Sequence, residues 1–215
     1  MLKTLNKSNS LLITENCQIK VSDLLKIFSD VENQISKSNL VLLFSKNNLM
    51  SVGAYLLSDK HKVPIIIISD EAPLESKLKL ISSYRPSLIV SPYKYDFNYN
   101  NITEYSYDKI GEKFYVYQRD QQLSIFRDLM LLLSTSGSTG SPKLVKLSRS
   151  NVYSNSESIM DYLPITEEDV CLLNLQISYS YGMSILNTHL LSNSTIYLSN
   201  ESFLSKELWS MISTL

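Results

Sequence analysis

The most informative ten residues of this chain are Ser134-Thr-Ser-Gly-Ser-Thr-Gly-Ser-Pro-Lys143. They contain two of the five glycines and no aliphatic or aromatic residue. Because Pro142 also lacks a backbone donor, the segment is predicted to be a loop and not a helix or a central strand. Glycines let a backbone approach an anion closely, while N–H groups, hydroxyls and the charge of Lys143 can all bind it. These residue types together predict a loop that binds a polyphosphate.

The loop does not follow the P-loop pattern of NTPases, which requires Gly, four residues and then Gly-Lys-Ser/Thr. Counted from Gly137, the second glycine position is occupied by Pro142, and Leu144 follows Lys143. These residues alone therefore leave two interpretations open. The segment is a phosphate-binding loop of another type, or it is a flexible Ser/Gly loop on the surface.

Upstream of the loop, strand-like and helix-like patterns alternate. Short continuous apolar runs predict buried strands, and apolar residues spaced by three and four predict helices. In chain order these are helix 22–35, strand 40–44, helix 49–57, strand 63–68, helix 74–81 and strand 87–91. Gly53, inside the second helix, either allows close packing against a sheet or is an ordinary interior glycine. Such alternation predicts an α/β fold with parallel-rich sheets, right-handed crossovers and flanking helices.

The remaining segments are less uniform. Residues 93–128 are rich in Tyr and Asn without a clean period, so we expect a connecting region with one strand at 113–117. Regular patterns resume with predicted strands at 129–133, 144–147, 170–175 and 195–198, and with predicted helices at 151–163 and 205–212.

Composition narrows the class of protein. Hydrophobic residues make up 44% and charged residues 19% of the 215 positions, which is enough for a real core. The net charge of -1 gives no reason to expect nucleic acid or an anionic membrane as a partner. No apolar run is long enough for a membrane anchor. Cys17 and Cys171 suggest neither a disulfide framework nor a metal site. We expect a soluble cytoplasmic protein.

Residues 135–143, Thr-Ser-Gly-Ser-Thr-Gly-Ser-Pro-Lys, resemble the signature loop of the adenylate-forming superfamily. That superfamily includes acyl- and aryl-CoA synthetases, the adenylation domains of nonribosomal peptide synthetases, and firefly luciferases. The usual form of the loop is Thr-Ser-Gly-Ser/Thr-Thr-Gly-x-Pro-Lys-Gly. All nine consecutive positions match, and only the final glycine differs, being Leu144 here.

Other segments extend the resemblance from about residue 20 to the end of the chain. Leu147-Ser-Arg-Ser-Asn151 is similar to a Thr-His-x-Asn string, with Arg149 or Ser150 in place of the histidine. Residues 54–64 and 72–90 resemble the helix and strand segments that precede the loop in the family. Residues 175–182 resemble the string Pro-Leu-x-His-x-x-Gly, which keeps its glycine as Gly182 and has Tyr179 at the histidine position.

The resemblance implies an activity. A carboxylate attacks the α-phosphorus of ATP to give an acyl-adenylate and pyrophosphate, and the acyl group then passes to a thiol of coenzyme A or a carrier protein. ATP and Mg²⁺ are the implied cofactors, with most Mg²⁺ ligands outside this chain. Tyr179 and Gly182 would belong to the pocket for the acid, while Tyr181 is either a pocket residue or an ordinary core residue. The implied ATP-binding residues are Thr135, Ser136, Gly137, Ser138, Thr139, Gly140 and Lys143.

The resemblance also implies a division of the protein. We expect residues 1–215 to be the N-terminal part of the AMP-binding domain, without the rest of the large domain and without the small C-terminal domain that carries the catalytic lysine. No catalytic residue or metal ligand is assigned here, and the chain alone is expected to be inactive. The alternative is a non-catalytic nucleotide-binding or interaction domain derived from such a ligase. Which acid is activated stays open, although the absence of an aspartate near Tyr179 disfavours an amino acid.

Overall fold

The computed structural model describes residues 4–120, 128–134 and 144–213. Their strands are β1 Leu11–Ile13, β2 Gln18–Lys20, β3 Val41–Ser45, β4 Ile65–Ser69, β5 Leu88–Ser91, β6 Asn101–Tyr107, β7 Glu112–Gln118, β8 Leu129–Ser134, β9 Leu144–Ser148, β10 Val170–Leu173 and β11 Thr195–Leu198. Their helices are α1 Val21–Ile27, α2 Ser29–Ser36, α3 Leu49–Lys60, α4 Leu74–Tyr84, α5 Arg149–Tyr162, α6 Ser180–Ser192 and α7 Lys206–Ile212, together with a 3-10 helix at Leu5–Lys7.

The larger sheet has seven strands in the order β6-β7-β5-β3-β4-β8-β9. Its four central strands, β5, β3, β4 and β8, are parallel, while β9 on one side and β7 and β6 on the other pair antiparallel. The central strands are continuous apolar runs because helices or loops cover both faces of the sheet. The predicted α/β class with parallel-rich sheets and flanking helices is confirmed.

Alternate residues of β3 enter two separate cores, as the two-residue period of a strand requires. Val41 and Leu43 belong to the core that also contains residues of α1, α3 and α6. Leu42 and Phe44 belong to the core on the opposite face, with Leu80 of α4. Helix α3 is therefore packed on one face of the sheet and helix α4 on the other.

A second sheet has four strands in the order β10-β11-β1-β2. Strand β1 pairs in parallel with β11, with Leu12 opposite Ile196, so the beginning of the chain is joined to a segment far along it. Strands β1 and β2 were not predicted, since three residues are too few to show a period.

Two predicted elements require correction. Residues 22–35 form two helices, α1 and α2, which are separated at Phe28. Residues 93–128 contain two strands instead of one, because β6 forms an antiparallel hairpin with β7. Most residues of β6 are exposed, so its sequence shows no alternation between apolar and polar positions.

Gly53 is needed for helix packing and not for contact with a sheet. A Cβ atom at this position would collide with Cε2 and Cδ2 of the Phe28 ring. The ring of Phe28 therefore lies directly against the backbone of α3. Of the two alternatives for Gly53, the structure favours a close approach, but its partner is the junction between α1 and α2 and not a sheet.

Cys17 and Cys171 are both free thiols. Every helix in the part of the chain that the structure describes is too short or too polar to cross a bilayer.

Candidate functional site

The predicted phosphate-binding residues lie outside the described residues. They are Thr135, Ser136, Gly137, Ser138, Thr139, Gly140 and Lys143. The residues on either side of this segment are described, and Ser134 at the end of β8 pairs with Leu144 at the start of β9. Strand β8 also pairs in parallel with β4, with Ile67 opposite Leu133. Ser134 therefore lies at the carboxyl edge of the parallel strands, which is where ligands bind in open α/β sheets.

A topological switch point lies at the same edge. Helix α3 follows β3 on one face and α4 follows β4 on the other, so the connections leaving these neighbouring strands diverge. Lys46, after β3, lies 3.5 Å from Asp70, after β4, measured from Nζ to Oδ2. Lys46 also donates to the Tyr93 hydroxyl at 2.5 Å. Polar residues directly after buried strands were a sequence signal for this cluster, which the motif-based prediction missed.

The charged form of Lys46 is favoured in this cluster. Partial burial opposes the charge, but the hydrogen bond to Tyr93 and the negative charge of Asp70 outweigh it, so the pKa of Lys46 is raised. Lys46 therefore keeps a positive charge at the carboxyl edge of the sheet at neutral pH.

Tyr179 and Gly182 lie at the beginning of α6, a helix that was not predicted. Tyr179 is the N-cap residue and is 49% exposed. Tyr181 is 68% exposed, so core packing, which the sequence left open for this residue, is excluded. Both tyrosine rings are therefore accessible at the start of the helix.

Gly182 permits a close contact between α6 and the segment before it. A Cβ atom at this position would lie 2.6 Å from the carbonyl oxygen of Leu175 and closer still to that of Gln176. The Tyr179 N–H donates to the Gln176 carbonyl at 3.1 Å. The glycine in the predicted pocket string is therefore required by backbone packing, which places Tyr179 on a tight turn.

This turn contacts the carboxyl edge of the larger sheet. The Gln176 side chain donates from Nε2 to Oε2 of Glu71 at 3.4 Å, and Glu71 follows β4 by two residues. The Ser178 hydroxyl donates to Oε1 of Gln176 at 3.3 Å. The turn before Tyr179 therefore lies against the end of β4, which is the strand beside β8.

A cavity of about 420 Å³ lies between β8, β9, α5 and α6. It is lined by Leu131, Leu133, Leu147, Asn151, Val152, Asn155, Ser180, Met183, Ser184 and Asn187. These side chains are apolar, amide or hydroxyl groups without a formal charge, so the cavity suits an uncharged part of a ligand. It borders both strands that flank the predicted phosphate loop.

Solved structures with the same fold include proteins with bound ATP, with a bound acyl-adenylate and with a bound amino acid. MatB from Rhodopseudomonas palustris with bound ATP gives a TM-score of 0.72 at 17% identity, over 97% of this chain and 46% of that one. The o-succinylbenzoate CoA synthetase MenE from Bacillus subtilis, in complex with its acyl-adenylate intermediate, gives 0.70 at 19% identity, over 95% and 56%. VinN in complex with L-aspartate gives 0.71 at 16% identity, over 95% and 60%.

The chain spans about half the length of the solved structures it matches. No curated protein matches it in sequence. The sequence model of one family, described as AMP-binding enzyme, matches residues 29–215, which is most of the chain. This match confirms the resemblance that was based on the loop at residues 135–143, and the chain belongs to the AMP-binding enzyme family.

Proposed function

We propose that this chain is the N-terminal part of the AMP-binding domain of a ligase that activates a carboxylic acid as its acyl-adenylate. The observation that carries the proposal is the loop string at residues 135–143, which starts at the carboxyl edge of the parallel strands within a chain that matches the family over residues 29–215. Structures with the same fold hold ATP or an acyl-adenylate, which supports the assignment.

In the proposed first step, a carboxylate oxygen bonds to the α-phosphorus of ATP and the bond to pyrophosphate breaks. The protein forms no covalent bond in this step, so its contribution is to position two anions and to stabilise the leaving group. Thr135, Ser136, Ser138 and Thr139 donate to the β- and γ-phosphates. Gly137 and Gly140 let the backbone approach them, and Lys143 steadies both loop and phosphates.

Mg²⁺ accompanies ATP in this proposal, and most of its ligands are expected outside this chain. Residues 4–120, 128–134 and 144–213 contain no group of three or more His, Cys, Asp or Glu side chains that could hold a metal. No step is therefore assigned to a metal here.

The acid is proposed to bind beside Tyr179 and Gly182, at the start of α6. The exposed tyrosine ring is available to contact it, and Lys46 supplies a positive charge at the same edge of the sheet. The second step transfers the acyl group to a thiol of coenzyme A or of a carrier protein. The identity of the acid, the acceptor and a cytoplasmic location stay predictions.

Titration of the chain with ATP, followed by calorimetry, tests the proposal directly. We expect binding that Lys143→Ala weakens and that Lys146→Ala, at an exposed lysine of β9, leaves unchanged. Equal affinities in wild type and Lys143→Ala would contradict the loop assignment. The alternative, a non-catalytic nucleotide-binding domain, predicts the same ATP affinities but no binding of any carboxylic acid beside Tyr179.

A further inference from the structure

Asn47 is a buried amide that uses both of its polar atoms. It lies two residues after β3 and is 2% exposed. Its Nδ2 lies 3.1 Å from the carbonyl oxygens of Leu173 and Leu175 and 3.0 Å from that of Ser199. An amide nitrogen has two hydrogens, so these three acceptors share them. Its Oδ1 accepts from the Ile177 N–H at 3.3 Å.

The backbone of Asn47 is bound to the same region. Its N–H donates to Oδ1 of Asn200 at 2.9 Å, and Nδ2 of Asn200 donates to its carbonyl at 3.1 Å. Leu173 ends β10, and Ser199 directly follows β11. Asn47 therefore joins the end of a central strand in the larger sheet to the carboxyl ends of two strands in the smaller one.

These bonds hold the turn from which α6 begins. Residues 175–177 contact Asn47 through one carbonyl and one N–H, and the two carbonyls that pack against Gly182 belong to Leu175 and Gln176. Tyr179 is bonded back to this turn through its own N–H. The backbone of Tyr179 is therefore linked through this turn to an amide 132 residues earlier.

We propose that Asn47 is a positioning residue for the acid pocket, acting through the backbone of residues 175–177 on Tyr179. That the pocket binds an acid rests on the proposed function, whereas the positioning of Tyr179 by Asn47 does not. Replacing Asn47 leaves buried carbonyls of the turn and of the ends of β10 and β11 without this donor, whereas the pairing between β3 and β4 does not depend on its side chain.

The test uses the whole chain with two variants and a matched control. Asn47→Ala removes all four side-chain contacts. Asn47→Asp keeps the shape and the acceptor for Ile177 but removes both donor hydrogens. Ser45→Ala is the control, because Ser45 is also buried at the end of β3 and donates at 3.1 Å to the Ile68 carbonyl, away from the turn.

Amide hydrogen exchange, followed by NMR, reports the turn directly. In Asn47→Ala we expect exchange at Ile177 and Tyr179 to accelerate by about tenfold or more, the factor for one lost buried hydrogen bond. In Asn47→Asp, which keeps the acceptor for Ile177, we expect the acceleration at Tyr179. Amides of β3 and β4 should keep their rates, and Ser45→Ala should not change Ile177. Unchanged exchange at Ile177 in Asn47→Ala, or acceleration shared equally by β3, would overturn the inference.

Acid binding then separates the inference from the function on which it rests. The probes are benzoate, octanoate and aspartate, each titrated with ATP present and followed at the Tyr179 amide. We expect Asn47→Ala to raise the acid Kd by about tenfold while the ATP Kd changes by less than about twofold. An unchanged acid Kd despite faster exchange would also overturn the inference. If wild type binds none of the probes, the proposed acid pocket fails, and the exchange rates alone decide whether Asn47 positions the turn.

Discussion

Arg149 forms an ion pair with Asp59, with 3.2 Å between Nη1 and Oδ1, and so ties the first turn of α5 to the last turn of α3. The Tyr153 hydroxyl donates to the other oxygen of Asp59 at 3.0 Å. Arg149 occupies one of the two positions where the family string has a histidine. The residue found in place of that histidine is therefore held by an ion pair within the fold. Burial raises the pKa of Asp59, and the Arg149 charge and the Tyr153 hydrogen bond offset only part of that effect.

Asp59 should make stability fall as pH rises. Because its pKa is raised in the native state, the folded chain binds more protons than the unfolded chain between the ordinary carboxyl pKa and the raised one. Asp59→Asn cannot titrate, so the free energy of unfolding of wild type relative to this variant should decrease as pH rises through that window. Urea unfolding of both proteins in steps upward from about pH 4 measures the difference. A difference that is independent of pH would contradict the raised pKa.

Gly182→Ala should destabilise the chain, although the same change on a helix without crowding usually stabilises it by up to about 1 kcal/mol. The added Cβ would collide with the Leu175 and Gln176 carbonyls, so we expect a loss of about 1–3 kcal/mol in the free energy of unfolding. Urea unfolding measures the sign. Ser180→Ala, at an exposed position of the same helix where a Cβ is already present, should change stability by less than about 0.5 kcal/mol. Stabilisation by Gly182→Ala would show that the turn and α6 are not packed as described.

Lys143→Ala and Thr139→Val should each weaken ATP binding by roughly one to two orders of magnitude, the loss of one strong phosphate contact. Affinity for the acid should change little, because the loop is assigned to the phosphates alone. Calorimetric titrations with ATP and with benzoate, octanoate and aspartate measure both affinities. Lys146→Ala serves as the control for loss of a nearby positive charge. Wild-type ATP affinity in both loop variants would refute the assignment.

Tyr179→Ala should change which acids bind more than it changes ATP affinity. A large exposed ring at the start of α6 is expected to contact the acid, so its removal should alter the relative Kd values of fatty, aryl and amino acids by about tenfold. Titration with the same three acids measures these relative Kd values. Tyr162→Ala, at an 85% exposed tyrosine that ends α5, controls for loss of a surface ring. An unchanged order of acids in Tyr179→Ala would remove Tyr179 from the pocket.

The chain of residues 1–215 should not catalyse adenylation alone. A departing pyrophosphate carries several negative charges, whereas the loop supplies one lysine and neutral donors. Losing one preorganised group that stabilises such charge typically costs about 2.7–4 kcal/mol of transition-state stabilisation, or about 10²–10³ in rate. ATP–pyrophosphate exchange with fatty, aryl and amino acids provides the measurement, with Lys143→Ala as the background. Exchange clearly above that background would show that the chain already contains sufficient catalytic groups.

Local patterns predicted the central strands well because each is an apolar run buried on both faces, as in β4 and β5. They failed for α6, which is buried on most sides and so shows no apolar stripe, and for β6, most of which is exposed. The break at Phe28 was missed because the apolar spacing continues through α1 and α2. The string at 175–182 predicted Tyr179 and Gly182 as pocket residues, but it did not reveal why Gly182 must be a glycine.

Local sequence was sufficient for the α/β class and for the family, because strand burial and a nine-residue string are properties of neighbouring residues. The phosphate-binding role of that string stays a prediction. Only the tertiary structure revealed the contacts that shape the proposed acid site. Asn47 and Ile177 are separated by 130 positions, as Asp59 and Arg149 are by 90. A buried amide or carboxylate requires partners wherever the fold brings them, and no local pattern specifies which distant backbone group will satisfy it. The positions of Tyr179 and α6 are therefore consequences of how the two sheets meet.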